Sequence, residues 1–439
     1  MLVVASMVGT GIFTTTGLLL RELGSPAAVL AAWTAGALLA LCGALSYGEL
    51  AAALPRNGGE YQLLGRIYHP ALGFTAALVS LVVGFSAPLA ASALAFGHYL
   101  SAVLPGIGAT GAGIGLLAAV AAVHALHVRV GSRLQTAITA LEVALVLAFV
   151  AAGALRGEPG RLLAASGAPL RAVGSPAFAA ALVYVAFAYS GWNAAIYLAG
   201  EVRDPSRTLP RALVLGTTLV AVLYLALSAV FLSAAPAGRL AGVVEVGHVA
   251  AVALLGPAAG RILSAVIALI LASSVSAMLM AGPRVYESVG LDYPPLALLA
   301  RRSRHGGPVV AVALQAVLAV TMMATSSFEA LLRYVGFTLS LVAGLAVLGV
   351  LVLRRREPDL PRPYRTWGYP ATPLLFVAMS AWIVVHALAE TPGSSWAGLA
   401  TVAAGLGLHA VLERWGAARR ARASAPDPGP ASSDGIRRG

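Results

Sequence analysis

Apolar runs of about 20 residues recur along almost the whole of this chain, and a soluble fold has no way to bury them all. Each run is long enough to cross roughly 30 Å of hydrocarbon at 1.5 Å of rise per residue. In lipid every backbone N–H and C=O must find a partner within its own segment. The runs are continuous rather than alternating, so they read as helices and not as barrel strands. They predict about twelve spans, near 1–20, 27–54, 71–104, 110–127, 136–155, 175–199, 209–234, 257–289, 308–326, 328–353, 371–390 and 395–414. The expected fold class is an all-α integral membrane protein with about 12 transmembrane helices.

Composition agrees: 59% of the residues are hydrophobic and 10% charged, against roughly 25% charged in a soluble domain. The formal charge of +12 does not point to nucleic acid, because the arginines sit in short connections between apolar runs and not on one face of a domain. All 29 basic residues are Arg. With both termini in the cytoplasm, 22 of them fall inside, and 7 (Arg21, Arg156, Arg161, Arg171, Arg239, Arg261 and Arg333) fall outside or near the outer ends. That asymmetry satisfies the positive-inside rule and predicts a multi-pass protein of the cytoplasmic (inner) membrane. Cys42 is the single cysteine, so no disulfide framework is expected. Met1 to Val4 lack a basic stretch and cleavage site, and no removable signal peptide is expected. Residues 1–415 form the expected membrane domain, and 416–439, rich in Arg, Ser, Pro, Asp and Gly, read as a disordered cytoplasmic tail.

Two spans carry helix-weakening residues at matching depth: Gly9-Thr10-Gly11 in the first and Ser190-Gly191 in the sixth. Glycine costs about 1 kcal/mol in a helix interior. Paired interruptions in two halves of a chain point to a binding site between repeats, although close helix packing also uses glycine. At a broken helix the unpaired N–H groups of one half and C=O groups of the other carry partial charges of about half an electron. Such a site suits a zwitterion: N–H groups around Thr10 and Gly11 for a carboxylate, carbonyls near Phe187, Ala188 and Ser190 for an ammonium group. It calls for no cofactor and no metal.

Met7-Val-Gly-Thr-Gly-Ile-Phe13 and Phe187-Ala-Tyr-Ser-Gly-Trp-Asn193 resemble the first- and sixth-helix signatures of the amino acid-polyamine-organocation (APC) superfamily. Family connections are resembled by Leu54-Pro-Arg-Asn-Gly-Gly-Glu-Tyr61, Glu201-Val-Arg-Asp-Pro205 with Leu209-Pro-Arg211, and Ala281-Gly-Pro-Arg-Val-Tyr286. Arg362-Pro-Tyr-Arg365 with Gly368-Tyr-Pro370 continues the same order and spacing. The resemblance implies a leucine-transporter-like fold: five helices (about 1–155), five more in inverted topology (about 175–353) and two peripheral ones (about 371–415). It implies that Met7, Thr10 and Gly11 contact the substrate from the first helix, and Phe187, Ala188 and Ser190 from the sixth. Phe187 would close over the pocket as an aromatic gate, a role for which Trp192 is the other candidate.

One position departs from the family. Many proton-linked members carry a lysine in the fifth helix, seven residues after a glutamine, where sodium sits in sodium-coupled relatives. Counting from Gln135 reaches Glu142. A carboxylate within a span is a functional candidate, so Glu142 is expected to take part in coupling to H+ or Na+. Ser273, Ser274 and Ser276 supply hydroxyls near the same place, or bond their own helix. Glu49 is expected to brace a gate or loop. The eight residues before Gly9 allow about 12 Å of helix, short for the family. Gly106-Ile-Gly-Ala-Thr-Gly111 matches a dinucleotide-binding string without a preceding strand, and His124 with His127 would be half a metal site at most.

The expected function is secondary active transport of amino acids, neutral ones favoured, by alternating access, proton-coupled or by exchange. The alternatives are a polyamine or organic-amine antiporter of the same fold, a channel or receptor-like member, and a membrane-embedded enzyme.

Overall fold

The computed structural model describes residues 2–126, 132–163, 173–302 and 308–423; His127, Arg129, Arg171, Arg304 and 424–439 lie outside them. The first span is split as expected: Leu2–Met7 (α1) ends at a bend over Val8 and Gly9, and Thr10–Leu23 (α2) follows. Gly24 closes α2 in the left-handed region (φ 64°), its N–H returning to Leu20 O. The second span is Pro26–Ala53 (α3), after which the connection folds into Glu60–Ile67 (α4).

The third span runs through Pro70–Val79 (α5), a π segment at Ser80–Ser86 and Ala87–Val103 (α6). Pro88 has no N–H to continue the ladder, and Ser86 Oγ donates to Leu81 O at 2.8 Å, five residues back, in the wider register. Ala109–Leu126 (α7), Ser132–Arg156 (α8) and the short Gly160–Leu163 (α9) follow.

Sixth in order, Pro176–Ala188 (α10) is capped by Ser175, whose Oγ accepts from Phe178 N–H at 3.2 Å. It stops at Ala188, turns through 189–193 and resumes as a 3-10 segment, Ala194–Glu201. Next come Pro205–Ala234 (α11), Ala237–Leu240 (α12), Val246–Leu255 (α13) and Pro257–Asp292 (α14). Val309–Thr325 (α15), Phe328–Arg356 (α16), Ala371–Glu390 (α17) and Pro392–Ala423 (α18) complete the chain. The last helix continues past the expected boundary at 415.

Eight helices among the described residues are long and apolar enough to cross a membrane. The two split spans and the shorter α7 and α15 supply the other four of the expected twelve. The chain packs in counterpart pairs: α3 on α11, α6 on α14, α2 on α10 and α7 on α15. Each is a span resting on the one five places later, and the two interrupted spans meet in the middle of this arrangement.

Candidate functional site

The two interruptions lie directly on each other. A Cβ added to Gly11 would run into Ala188 Cα, and one added to Gly191, which has a φ of +97°, would run into the carbonyl oxygen of Ser6. Only backbone without side chains approaches this closely. The N–H groups of the first turn of α2 have no intrahelical acceptor, and the end of α10 leaves carbonyls without intrahelical donors. Side chains hold the loosened backbone in place. Tyr224 Oη donates to Met7 O at 2.5 Å and Tyr99 Oη to Phe13 O at 2.6 Å, while Thr10 Oγ1 and Ser92 Oγ lie 2.6 Å apart. Behind them Trp33, Tyr189 and Tyr224 form a buried aromatic trio with centroids 5.2 to 5.6 Å apart.

Removing the Tyr224 hydroxyl (Tyr224→Phe) is expected to cost about 1 kcal/mol and to weaken substrate binding, because the Met7 carbonyl is no longer pinned. Thermal unfolding in detergent and equilibrium binding measure the two effects.

The expected site residues fall into two groups. Met7, Thr10, Phe187 and Ala188 are 2 to 5% exposed, and Gly11 packs directly on Ala188 where the two breaks meet. Ser190 and Trp192 instead line a small, partly open cavity. Its other walls come from α3 (Leu39), α16 (Ser340) and α17 (Phe376, Ser380), and most of its lining is apolar. The Trp192 ring stands edge-on to Tyr47 and Phe376, with centroids 4.7 and 6.1 Å away. Trp192 is therefore part of the cavity wall, on the side of the sixth span that Phe187 does not line.

Ser274 of α14 faces the first-span break, its Oγ 3.5 Å from where a Gly9 Cβ would stand, but it donates to Ile270 O of its own helix at 3.2 Å. Ser273 is 9% exposed. Ser276 is joined to His124 Nε2 at 2.8 Å, so that histidine is occupied. Glu142 of α8 is buried.

Glu60 appears in the sequence only within a quoted motif, yet it anchors the lower half of the sixth span. Its Oε1 accepts from Tyr47 Oη at 3.0 Å and from Asn193 Nδ2, and its Oε2 accepts from Tyr197 Oη at 2.6 Å. Nothing beside it in the sequence marks this role, because Tyr47 lies 13 residues away and Asn193 and Tyr197 lie 133 and 137 residues away. Glu49 does brace a connection: Arg354 reaches it through Nε and Nη2 at 2.9 and 2.7 Å, and the Thr366 N–H donates at 2.7 Å. At this arginine-rich end the Arg66 guanidinium also holds the Glu357 carboxyl below its ordinary range, through bonds of 2.7 and 2.8 Å.

At the opposite end Arg21, closing α2, forks onto Glu329 at the start of α16 at 2.8 and 2.6 Å, and Arg333 reaches Glu22 at 2.8 Å. Reversing one charge (Arg21→Glu) is expected to lower the unfolding midpoint, and the double variant R21E/E329R to restore most of it. Because Arg21 is 41% exposed, each pair contributes only about 0.2–1 kcal/mol. Both variants are compared by thermal unfolding at low and high salt.

An all-helical membrane protein whose first and sixth spans break against each other, with polar latches at both ends, has the architecture of a secondary transporter. The chain belongs to the amino acid permease family, whose model matches residues 1–408. The human large neutral amino acids transporter small subunit 2 is 27% identical over 429 residues, covering 94% of this chain and 79% of the relative. The serine/threonine exchanger SteT of Bacillus subtilis is 25% identical over 391 residues, 87% and 88% of the two chains. The human b(0,+)-type amino acid transporter 1 is 26% identical over 403 residues, 89% and 81%. These relatives are transporters and not enzymes, which sets aside the membrane-embedded enzyme.

Proposed function

We propose that this permease carries neutral amino acids across the cytoplasmic membrane by alternating access, through exchange or with a coupled ion. Met7, Thr10 and Gly11 on one side and Phe187, Ala188 and Ser190 on the other hold the substrate's charged end groups. The observation that carries this reading is the direct meeting of two helix breaks without an ionised side chain among those six residues. Main-chain dipoles alone then neutralise a carboxylate and an ammonium group. The apolar cavity beside Ser190 receives the side chain. Names of relatives that cite large neutral amino acids and serine/threonine exchange point the same way.

An amine lacking a carboxylate is the second reading, since Glu60 lines the cavity. Both of its oxygens are already taken by Tyr47, Asn193 and Tyr197, which disfavours an amine there. The counterpart pairing supports two repeats of opposite topology, at about 1–155 and 175–353, with peripheral helices over about 371–415. The arginine-rich end then faces the cytoplasm, and an even number of spans puts both termini there.

Counterflow in proteoliposomes tests the proposal. Vesicles loaded with one neutral amino acid are expected to accumulate the same labelled solute from outside, with arginine, glutamate and polyamines failing to compete. Counterflow by a polyamine and by no neutral amino acid sinks it.

A further inference from the structure

Four serines line the cavity beside the sixth-span break: Ser80, Ser190, Ser340 and Ser380. A serine within a helix ordinarily turns its hydroxyl onto the carbonyl four residues back. Ser340 does so, donating to Gly336 O at 2.7 Å, and Ser46 and Ser274 do the same elsewhere in the bundle. Ser380, midway along α17, does not. It is 3% exposed, and its Oγ has no hydrogen-bond partner. No other buried side-chain oxygen or nitrogen in the lining is left unpartnered among the described residues. A buried hydroxyl in that state is unfavourable and calls for an explanation.

The walls around Ser380 restrict what can satisfy it. On the facing helix α16 stands Gly344, where an added Cβ would lie 3.3 Å from Ser380 Cβ and 3.8 Å from its Oγ, so the two helices meet there with little between them. Leu39, Leu339, Val342 and Phe376 make the rest of the surface apolar. Glu60 is the one charged residue in the lining, and both of its oxygens are engaged. The phenols of Tyr197 and Tyr189 are engaged as well, on Glu60 and on Trp33 O. What remains is a small apolar pocket with one hydroxyl to offer. Helix α17 stands outside both expected repeats, so none of the motifs within them points to Ser380.

We propose that Ser380 is a specificity-determining residue: its Oγ pairs with a hydroxyl on the substrate's side chain, so that the permease selects hydroxyl-bearing neutral amino acids over aliphatic ones of the same size. The inference rests on the transport reading and narrows it to that substrate class. Threonine meets both demands of the pocket, with a methyl group for the apolar walls and a hydroxyl that can donate to Ser380 or accept from it. Valine has the same shape with a methyl group in place of the hydroxyl, and it leaves Ser380 unpaired in an apolar wall. Discrimination comes from that unpaired partner and not from size.

The test is competition counterflow in proteoliposomes holding purified full-length protein. Unlabelled threonine and valine compete in turn with the labelled neutral amino acid that gives counterflow. In wild-type vesicles threonine is expected to reach half-inhibition at about one-tenth of the valine concentration, the ratio that one hydrogen bond sustains. Ser380→Ala keeps the packing on Gly344 and is expected to bring the two concentrations to parity. Were Ser380 present for packing alone, S380A would leave the ratio unmoved, and that result overturns the proposal. Wild-type protein that does not prefer threonine to valine overturns it as well, with the transport reading intact. Absence of counterflow by every neutral amino acid overturns the transport reading with it. Should S380A not fold, Ser380→Cys is measured in its place. A thiol is the weaker partner, so the preference for threonine is expected to shrink, and an unchanged ratio overturns the assignment.

Discussion

A Gly11→Val variant is expected to lose substrate binding and transport altogether. Already the first added carbon would overlap Ala188 Cα, a main-chain atom that has no rotamer to move into. The two interrupted spans must then separate, and overpacking of this kind costs about 1–3 kcal/mol. Function suffers more than stability. In the proposed mode of binding, main-chain groups from both breaks hold the substrate at once, and a displacement near 1 Å at such a site is worth about a hundredfold. Equilibrium binding of labelled amino acid and counterflow are the measurements, with thermal unfolding to show that the variant is folded. Wild-type affinity in a folded Gly11→Val protein removes the two breaks from the recognition site. Gly191 is expected to be equally intolerant for a second reason: its φ of +97° is a conformation that side-chain-bearing residues rarely adopt.

Glu60→Ala is expected to be the most destabilising single change at the arginine-rich end. It strips the acceptor from Tyr47, Asn193 and Tyr197 together, and the carboxylate it removes is only 4% exposed. Each buried donor left without a partner costs about 1–3 kcal/mol, so a loss on the order of 3 kcal/mol is expected after partial relaxation. The lower half of the sixth span is the part released. Thermal unfolding is expected to shift down by several degrees, and transport to fall even at temperatures where the variant stays folded. Glu60→Gln keeps one acceptor oxygen and should lie between the two. Unfolding midpoints equal to wild type for both variants would falsify the anchoring role.

Much of this molecule is legible without coordinates because lipid imposes one rule on every span. Twenty apolar residues between arginines can do little except cross, so Ala371–Glu390 is readable to the residue. The breaks are legible too, since Gly9 to Gly11 and Ser190-Gly191 interrupt otherwise helical apolar runs. What escapes a one-dimensional reading is which side of a broken helix a residue faces. Phe187 and Trp192 are five positions apart, yet the turn between α10 and the 3-10 segment puts Trp192 in the cavity wall while Phe187 is buried outside that lining. The latches are hidden for a related reason. Arg21 and Glu329 are 308 residues apart, and nothing local in either marks the other as its partner.

The 3-10 winding of Ala194–Glu201 has a consequence in reach. Such a helix rises about 2.0 Å per residue against 1.5 Å for an α-helix, so from Ala194 to Gly200 it extends roughly 3 Å farther. That increment is about one hydrogen bond. At its far end the Gly200 N–H docks on Asn57 Oδ1 at 2.7 Å, and Tyr197 O receives the Gly58 N–H at 3.3 Å. With three residues per turn, Ala194, Tyr197 and Gly200 also come round to one edge, the edge turned toward that loop. Wound as an α-helix, the same residues would stop one bond short of their mooring and present it with a different face.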